Sequence, residues 1–242
     1  CIRDSIKYGN DVQAAQARQK IKVGRWSKKS TDFWQYLANT PTIKNFEFLG
    51  GEPFLLKELI GYVENLAQSG HSEDCMFDIV TNGTVVPDVI IKHHSKFKRI
   101  GITFSIDDIE DRFELQRKNA TWHEVNQNIR RMSNLDNVHA RCNTTVNVMN
   151  VYYLPELIDW WHTIGSSENL HISTGLTNPA HLDIAHMPKK VADVVYDKLY
   201  ASSHRPLLQP ILDKLSNTST DMSKDFVTYT KFKDTIRNEN FA

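Results

Sequence analysis

The chain has 242 residues, 40% hydrophobic and 24% charged, with Lys+Arg and Asp+Glu both at 29. That length supports one large domain or two small ones. The zero net charge gives no electrostatic case for nucleic acid or an anionic membrane surface, no apolar run approaches the roughly 18 residues of a membrane span, and no signal-peptide pattern opens the chain.

Three cysteines, Cys1, Cys75 and Cys142, are odd in number and far apart. Such a set argues against a secreted disulfide framework and for a reducing compartment, so a cytoplasmic location is expected. The start at Cys rather than Met leads to the expectation of a fragment. Residues 1–5, Cys1-Ile2-Arg3-Asp4-Ser5, also resemble a translated sequencing adapter; they are either native sequence or an artefact to be left out of fold reasoning.

Residues 11–23 are a polar lead-in, and 24–29 are basic and loop-like. Ser30 suits an N-cap, with Asp32 in the first turn. Phe33, Trp34 and Leu37 share a face of a short helix that Thr40-Pro41 ends. Asn45-Phe46-Glu47-Phe48 alternates as a strand and stops at Gly50-Gly51-Glu52-Pro53. Pro53 suits a first helical position, and Leu55, Leu56, Leu59, Ile60, Val63 and Leu66 follow at helical spacing, with Gly70 as the stop. Glycines let a ligand approach the main chain, and Glu52 stands at a strand's carboxyl end, where α/β proteins place ligand contacts.

Residues 76–81 form a second strand ending in Asn82-Gly83-Thr84, and 87–97 a helix. Residues 99–107 alternate strongly: Ile100, Ile102, Phe104 and Ile106 on one face, Gly101, Thr103, Ser105 and Asp107 on the other. Trp122, Val125, Ile129 and Met132 mark a helix. Residues 138–148 alternate again, with Arg141, Asn143, Thr145 and Asn147 on a polar face. Pro155 opens a helix with Leu157, Ile158 and Trp161, and residues 170–175 are the last clear strand. Residues 188–200 are helical, with Val191, Val194, Val195 and Leu199 on one stripe. A further turn or two spans 209–215, then a polar linker at 216–224 and a helical end.

Strand then helix, four times over, followed by a fifth strand predicts a parallel α/β sheet with right-handed crossovers. The polar strand faces point either to a wide or partial barrel with a hydrated lumen or to a sheet with one face in solvent.

The runs FEFLGGEPFLLKEL, DIVTNGT, IGITFSID and NTTVNVMNVYYLPELIDWW, in this order, resemble the radical S-adenosylmethionine (radical SAM) superfamily, and its twitch-domain group in particular. LTNPAHLDIAHMPKKV and YTKFKDTIRNENF resemble the same group. The resemblance implies a partial (βα)6 TIM-like barrel, here truncated at the N-terminus, over residues 31–205. It would follow a lead-in at 1–30 and precede a C-terminal helical extension at 206–242, itself truncated. It also implies S-adenosylmethionine as cofactor and a 4Fe–4S cluster that reduces it to a 5′-deoxyadenosyl radical. An external electron donor and an unidentified substrate, peptides included, belong to the same implication. Gly50, Gly51 and Glu52 would hold the methionine amino group, with Pro53 next to them in the cofactor site, Ser105 and Asp107 the ribose hydroxyls, and Asn147 and Asn82 further parts of the cofactor.

One departure is serious: the family's CxxxCxxC loop is absent. Cys75 and Cys142 fit buried small hydrophobes better than ligands, and Cys1 is either the last cysteine of a truncated loop or part of the adapter. No catalytic residue and no metal ligand is assigned. The alternative is a non-catalytic α/β binding or interaction protein on a degenerate scaffold; a third reading has Glu52 or Asp107 as an acid or base without a metal. Simpler roles stand beside the sharper ones. Gly50-Gly51-Glu52 makes a turn, Ser105 and Asp107 cap one, Asn147 and Asn150 satisfy loop backbone, and Arg141 pairs either with a ligand carboxylate or locally. His93 and His94 are expected at the surface.

Overall fold

The computed structural model describes residue 34, residues 36–37, 40–165 and 167–241, without the side chain at 167. The predicted lead-in, Cys1 and most of the helix around Phe33 lie outside these residues.

Five strands form one sheet in chain order, every neighbouring pair parallel: β1 (Asn45–Phe48), β2 (Met76–Thr81), β3 (Arg99–Ser105), β4 (Val138–Thr145) and β5 (Leu170–Ser173). Right-handed crossovers in an unbroken strand order put every connection on the same face; a doubly wound sheet reverses direction and covers both. The register aligns Phe46, Phe77, Ile100 and Val138 on the covered face and Glu47, Asp78, Gly101 and His139 on the other.

The covered face carries α1 (Lys57–Ser69), α2 (Asp88–His93), α3 (Glu110–Gln116), α4 (Trp122–Ser133) and α5 (Leu154–His162). Beyond β5 come α6 (Lys189–Ala201), α7 (Arg205–Ser216) and α8 (Ser223–Arg237). Residues 206–242 thus include most of α7 and all of α8. Leu59, Tyr62, Val63 and Leu66 of α1 bury against the first strands. There the Phe46 ring lies 4.7 Å from Phe77 and 5.6 Å from Tyr62, and Phe77 meets Phe97 edge-on at 5.1 Å. Geometry of this kind adds about 1 kcal/mol per pair beyond the area buried. Trp161 is fully buried, while Trp160 packs on Trp122 and donates to Asn126 Oδ1 at 3.1 Å. Among the described residues no helix is long and apolar enough to cross a membrane.

Four local expectations are corrected. Pro53 opens a single 3-10 turn, Pro53–Leu55, and Leu56 is extended (φ −87°, ψ 104°), so α1 begins only at Lys57. Helix α3 escaped the sequence pattern because Phe113 is the one residue it buries. On α6 the buried stripe is Ala192, Val195 and Leu199, leaving Val191 and Val194 exposed; successive helical residues turn by about 100°, so the small Ala192, and not the two valines, shares that stripe. His93 is buried, with Nε2 3.0 Å from Glu64 Oε1, because its position on α2 faces α1.

Candidate functional site

The carboxyl end of β1 turns through Gly50 and Gly51 with φ of +88° and +57°, conformations that cost glycine little. Where a Cβ would stand on either residue, no atom of the described residues beyond the adjoining ones lies within 4 Å, so main chain there is open to a ligand. Glu52 follows at the N-cap of the Pro53 turn. Its Oε1 accepts from Thr81 Oγ1 at 2.8 Å and from the Phe54 amide at 3.2 Å, and its Oε2 accepts from the Asn82 amide at 2.8 Å. Three of roughly four acceptor positions on the carboxylate are thereby filled. Glu52 is thus held across the gap between β1 and β2. Thr81 is the partner the sequence pattern did not single out; its position directly before Asn82-Gly83 was the available signal. The Asn82 side chain turns away, accepting from Thr84 N and Oγ1 at 2.8 and 2.6 Å.

A second polar group joins the ends of β3 and β4. Asp107 Oδ1 accepts from the Thr145 amide at 3.0 Å, and its Oδ2 pairs with Arg117 Nη2 at 2.9 Å. Buried Asn150 donates through Nδ2 to Asp107 O (2.7 Å) and Thr145 O (2.9 Å), and its Oδ1 accepts from the Asn147 amide (2.8 Å). Asn147 Oδ1 accepts from Met149 N at 2.8 Å. Ser105 stands between the two groups, beside Asn143 in register, and its hydroxyl makes no hydrogen bond among the described residues. Behind this rim Asp108 is buried, accepting from Ile109 N and pairing with Arg112 Nε, both at 2.9 Å; burial pushes its pKa up. Arg112 in turn lies 4.1 Å over the Tyr153 ring.

Lower on the uncovered face lies a cavity of about 550 Å³, lined among others by Asn45, Glu47, Asp78, Arg99, Thr103 and Arg141. None of the eight residues expected to bind cofactor is in that lining. Asp78 pairs with Arg99 and, at 3.3 Å, with Arg141 Nη1, so the local pairing of Arg141 is present. Gly101 makes this possible: a Cβ there would stand 2.1 Å from Asp78 Oδ1.

The two described thiols are both buried and free. Cys75 Sγ contacts His71 O at 3.1 Å before β2, and Cys142 sits inside the core on β4. Burial raises the pKa of both, that of Cys142 to about 12, whereas cluster ligation needs accessible thiolates that converge. These residues do not fit an iron–sulfur cluster, and among the described residues no three His, Cys, Asp or Glu are grouped to hold a metal.

No protein-family model matches the sequence, and a search of curated proteins returns no match. Among solved structures, similarity is found to Streptococcus suis SuiB bound to S-adenosylmethionine, with a TM-score of 0.45 and 14% identity over 69% of this chain and 40% of that one. It is also found to native anSMEcpe with bound AdoMet, with a TM-score of 0.47 and 15% identity over 78% of this chain and 53% of that one. The chain therefore spans about half of those chains or less.

Proposed function

We propose that this chain is the S-adenosylmethionine-binding core of a radical SAM enzyme of the twitch group, its sheet forming part of a (βα)6 barrel over residues 31–205 with residues 206–242 as an appended helical region. The observation that carries the proposal is the Glu52 carboxylate, held by Thr81, Phe54 and Asn82 at the strand carboxyl ends beside two glycines with open main chain. An ammonium group seeks charge-assisted acceptors. The remaining acceptor position of Glu52 and the carbonyls of the glycine turn meet that need for the methionine amino group. Ser105, Asp107 and Asn147 stand further along the same rim for the nucleoside, with Asn82 and Pro53 bordering the turn.

With a 4Fe–4S cluster and an external electron donor, the cofactor in this family supplies a 5′-deoxyadenosyl radical. The described cysteines do not fit that cluster, so no radical step is assigned to these residues. The substrate class is left at the resemblance, which admits peptides, and a cytoplasmic setting accords with the free thiols. That same misfit favours a second reading, a non-catalytic binding protein on the same scaffold; purified full-length protein containing no iron after anaerobic reconstitution would support it.

Calorimetric titration of the isolated chain with S-adenosylmethionine tests the cofactor reading. Binding should weaken at least tenfold in Glu52→Ala, with circular dichroism unchanged. Gly50→Ala adds a methyl group to the open side of the turn and strains a backbone held at φ +88°, and should weaken binding by a smaller factor. Absent wild-type binding, or wild-type affinity in Glu52→Ala, overturns the proposal.

A further inference from the structure

Among the described residues, the sheet face opposite the helices is divided by charge. Its carboxylates, Glu47 and Asp78, stand on β1 and β2 beside Asn45; its arginines, Arg99 and Arg141, stand on β3 and β4, with the Asn143 amide beyond Arg141. Asp78 sits at the boundary and pairs once with each arginine, through Oδ2 with Arg99 Nη2 and through Oδ1 with Arg141 Nη1 at the longer distance of 3.3 Å. The remaining guanidinium donors of Arg141 make no bond among the described residues, and neither do the Glu47 carboxylate, the Asn45 amide or the Thr103 hydroxyl. Thr103 is the direct register partner of Arg141. An unpaired anion and a partly paired cation therefore face one cavity of about 550 Å³, a volume typical of small-molecule sites.

We infer that this cavity is a binding site, separate from the strand-end rim, for a dipolar ligand: an anionic group held by Arg141 and Thr103, and a cationic amine held by Glu47 and Asn45. The spacing sets the ligand's size. Glu47 and Asp78 are register neighbours, one strand spacing apart, and the Arg141 guanidinium touches Asp78. The two subsites are therefore about 5–10 Å apart, one to two strand spacings. With about 3 Å of hydrogen-bond contact at each end, an α-amino acid bridges the lower part of that range and a longer ω-amino acid the whole of it. Guanidinium suits either carboxylate or phosphate, so the anionic end is defined by charge and the cationic end by Glu47. The inference does not depend on the cofactor reading, since no residue of the GGEP turn takes part.

The test is a titration of the isolated full chain followed by NMR, using 6-aminohexanoate as probe against hexanoate, hexylamine, glycine and inorganic phosphate. The expected result is at least fivefold tighter binding of 6-aminohexanoate than of any of the others. Arg141→Gln and Glu47→Gln should each reduce it to the level of the singly charged analogues, with the thermal midpoint unchanged. No binding, equal affinity for hexanoate or phosphate, or wild-type affinity in either variant overturns the inference. Saturating S-adenosylmethionine should not displace the probe, and Glu52→Ala should bind it normally. Displacement would merge the two sites and sink this inference while leaving the cofactor reading standing.

Discussion

Two polar regions of one sheet face differ in how far their groups are already paired. At the carboxyl rim, Glu52, Asp107 and Asn150 commit their polar atoms to Thr81, Asn82, Arg117, Thr145 and neighbouring backbone. In the cavity below, Asp78 and Arg99 pair with each other, while Glu47, Asn45 and Thr103 make no side-chain hydrogen bond among the described residues. Paired groups hold their geometry before a ligand arrives and so lose less entropy on binding. They are also part of what keeps the strand ends together. Substitutions at the rim should therefore lower stability and binding together, whereas substitutions in the cavity should alter binding alone.

The largest effect is expected at Asn150. Its buried amide bridges β3 and β4 through three hydrogen bonds, and Asn150→Ala would take this partner from the part-buried Asp107 carbonyl and Asn147 amide and leave Thr145 O only the 3.4 Å contact from Asn147 Nδ2. A loss of about 3 kcal/mol is expected, at about 1–3 kcal/mol per unsatisfied buried group. Urea unfolding with an unchanged slope measures it. A cost within the range of ordinary surface changes would show that the rim is not held together by its own pairing.

Burial extends the contrast to Asp108, where pairing with Arg112 does not outweigh the loss of hydration and the folded-state pKa is raised. The protonated form is then favoured by folding. Its contribution is complete below the ordinary carboxylate pKa and is lost as pH rises through the raised value. Unfolding midpoints of wild type and Asp108→Asn, measured between about pH 4 and 7, should differ in slope, the wild type losing more stability over that interval. Parallel profiles would remove burial as the dominant influence on this carboxyl.

Much of the framework was legible because apolar and polar residues alternate with period two. Ile100, Ile102, Phe104 and Ile106 identify β3 and its covered face without any structure, and glycines mark where β1 turns. The pairing of the site was not legible. Glu52 finds Thr81 and Asn82, and Arg141 finds Asp78, through strand register, which relates residues far apart in sequence. The pattern of Asp78 over Gly101 is equally hidden, since a glycine inside a strand tells nothing of which side chain will lie across it. Short elements such as α3 and the extended Leu56 bury too little to leave a periodic trace.

Gly101→Ala probes the boundary between the two regions. The new methyl group would stand 2.1 Å from Asp78 Oδ1 and displace that carboxylate, loosening its pairs with Arg99 and Arg141. Both pairs are partly exposed, with side chains 26–45% accessible, so the expected cost is about 1 kcal/mol. Arg141 would lose its described partner at the same time. Binding of 6-aminohexanoate should tighten several-fold, giving a less stable protein with a better cavity. Weakened binding would mean that Asp78 orients Arg141 for the ligand and does not compete with it.

The smallest effect on folding is expected at Glu47, and it separates the regions most cleanly. Its carboxylate is exposed and makes no ion pair or hydrogen bond among the described residues, and Glu47→Gln keeps the side chain's length and the alternation of β1. Stability should stay within about 0.5 kcal/mol of wild type, as for surface substitutions away from special features. Glu52 is also a glutamate at the end of this strand, yet its carboxylate is tied to β2, so Glu52→Ala should show a stability change several times larger in the same urea experiment. If the two variants unfold alike, pairing at the rim adds nothing to the fold, and its polar atoms are organised for a ligand alone.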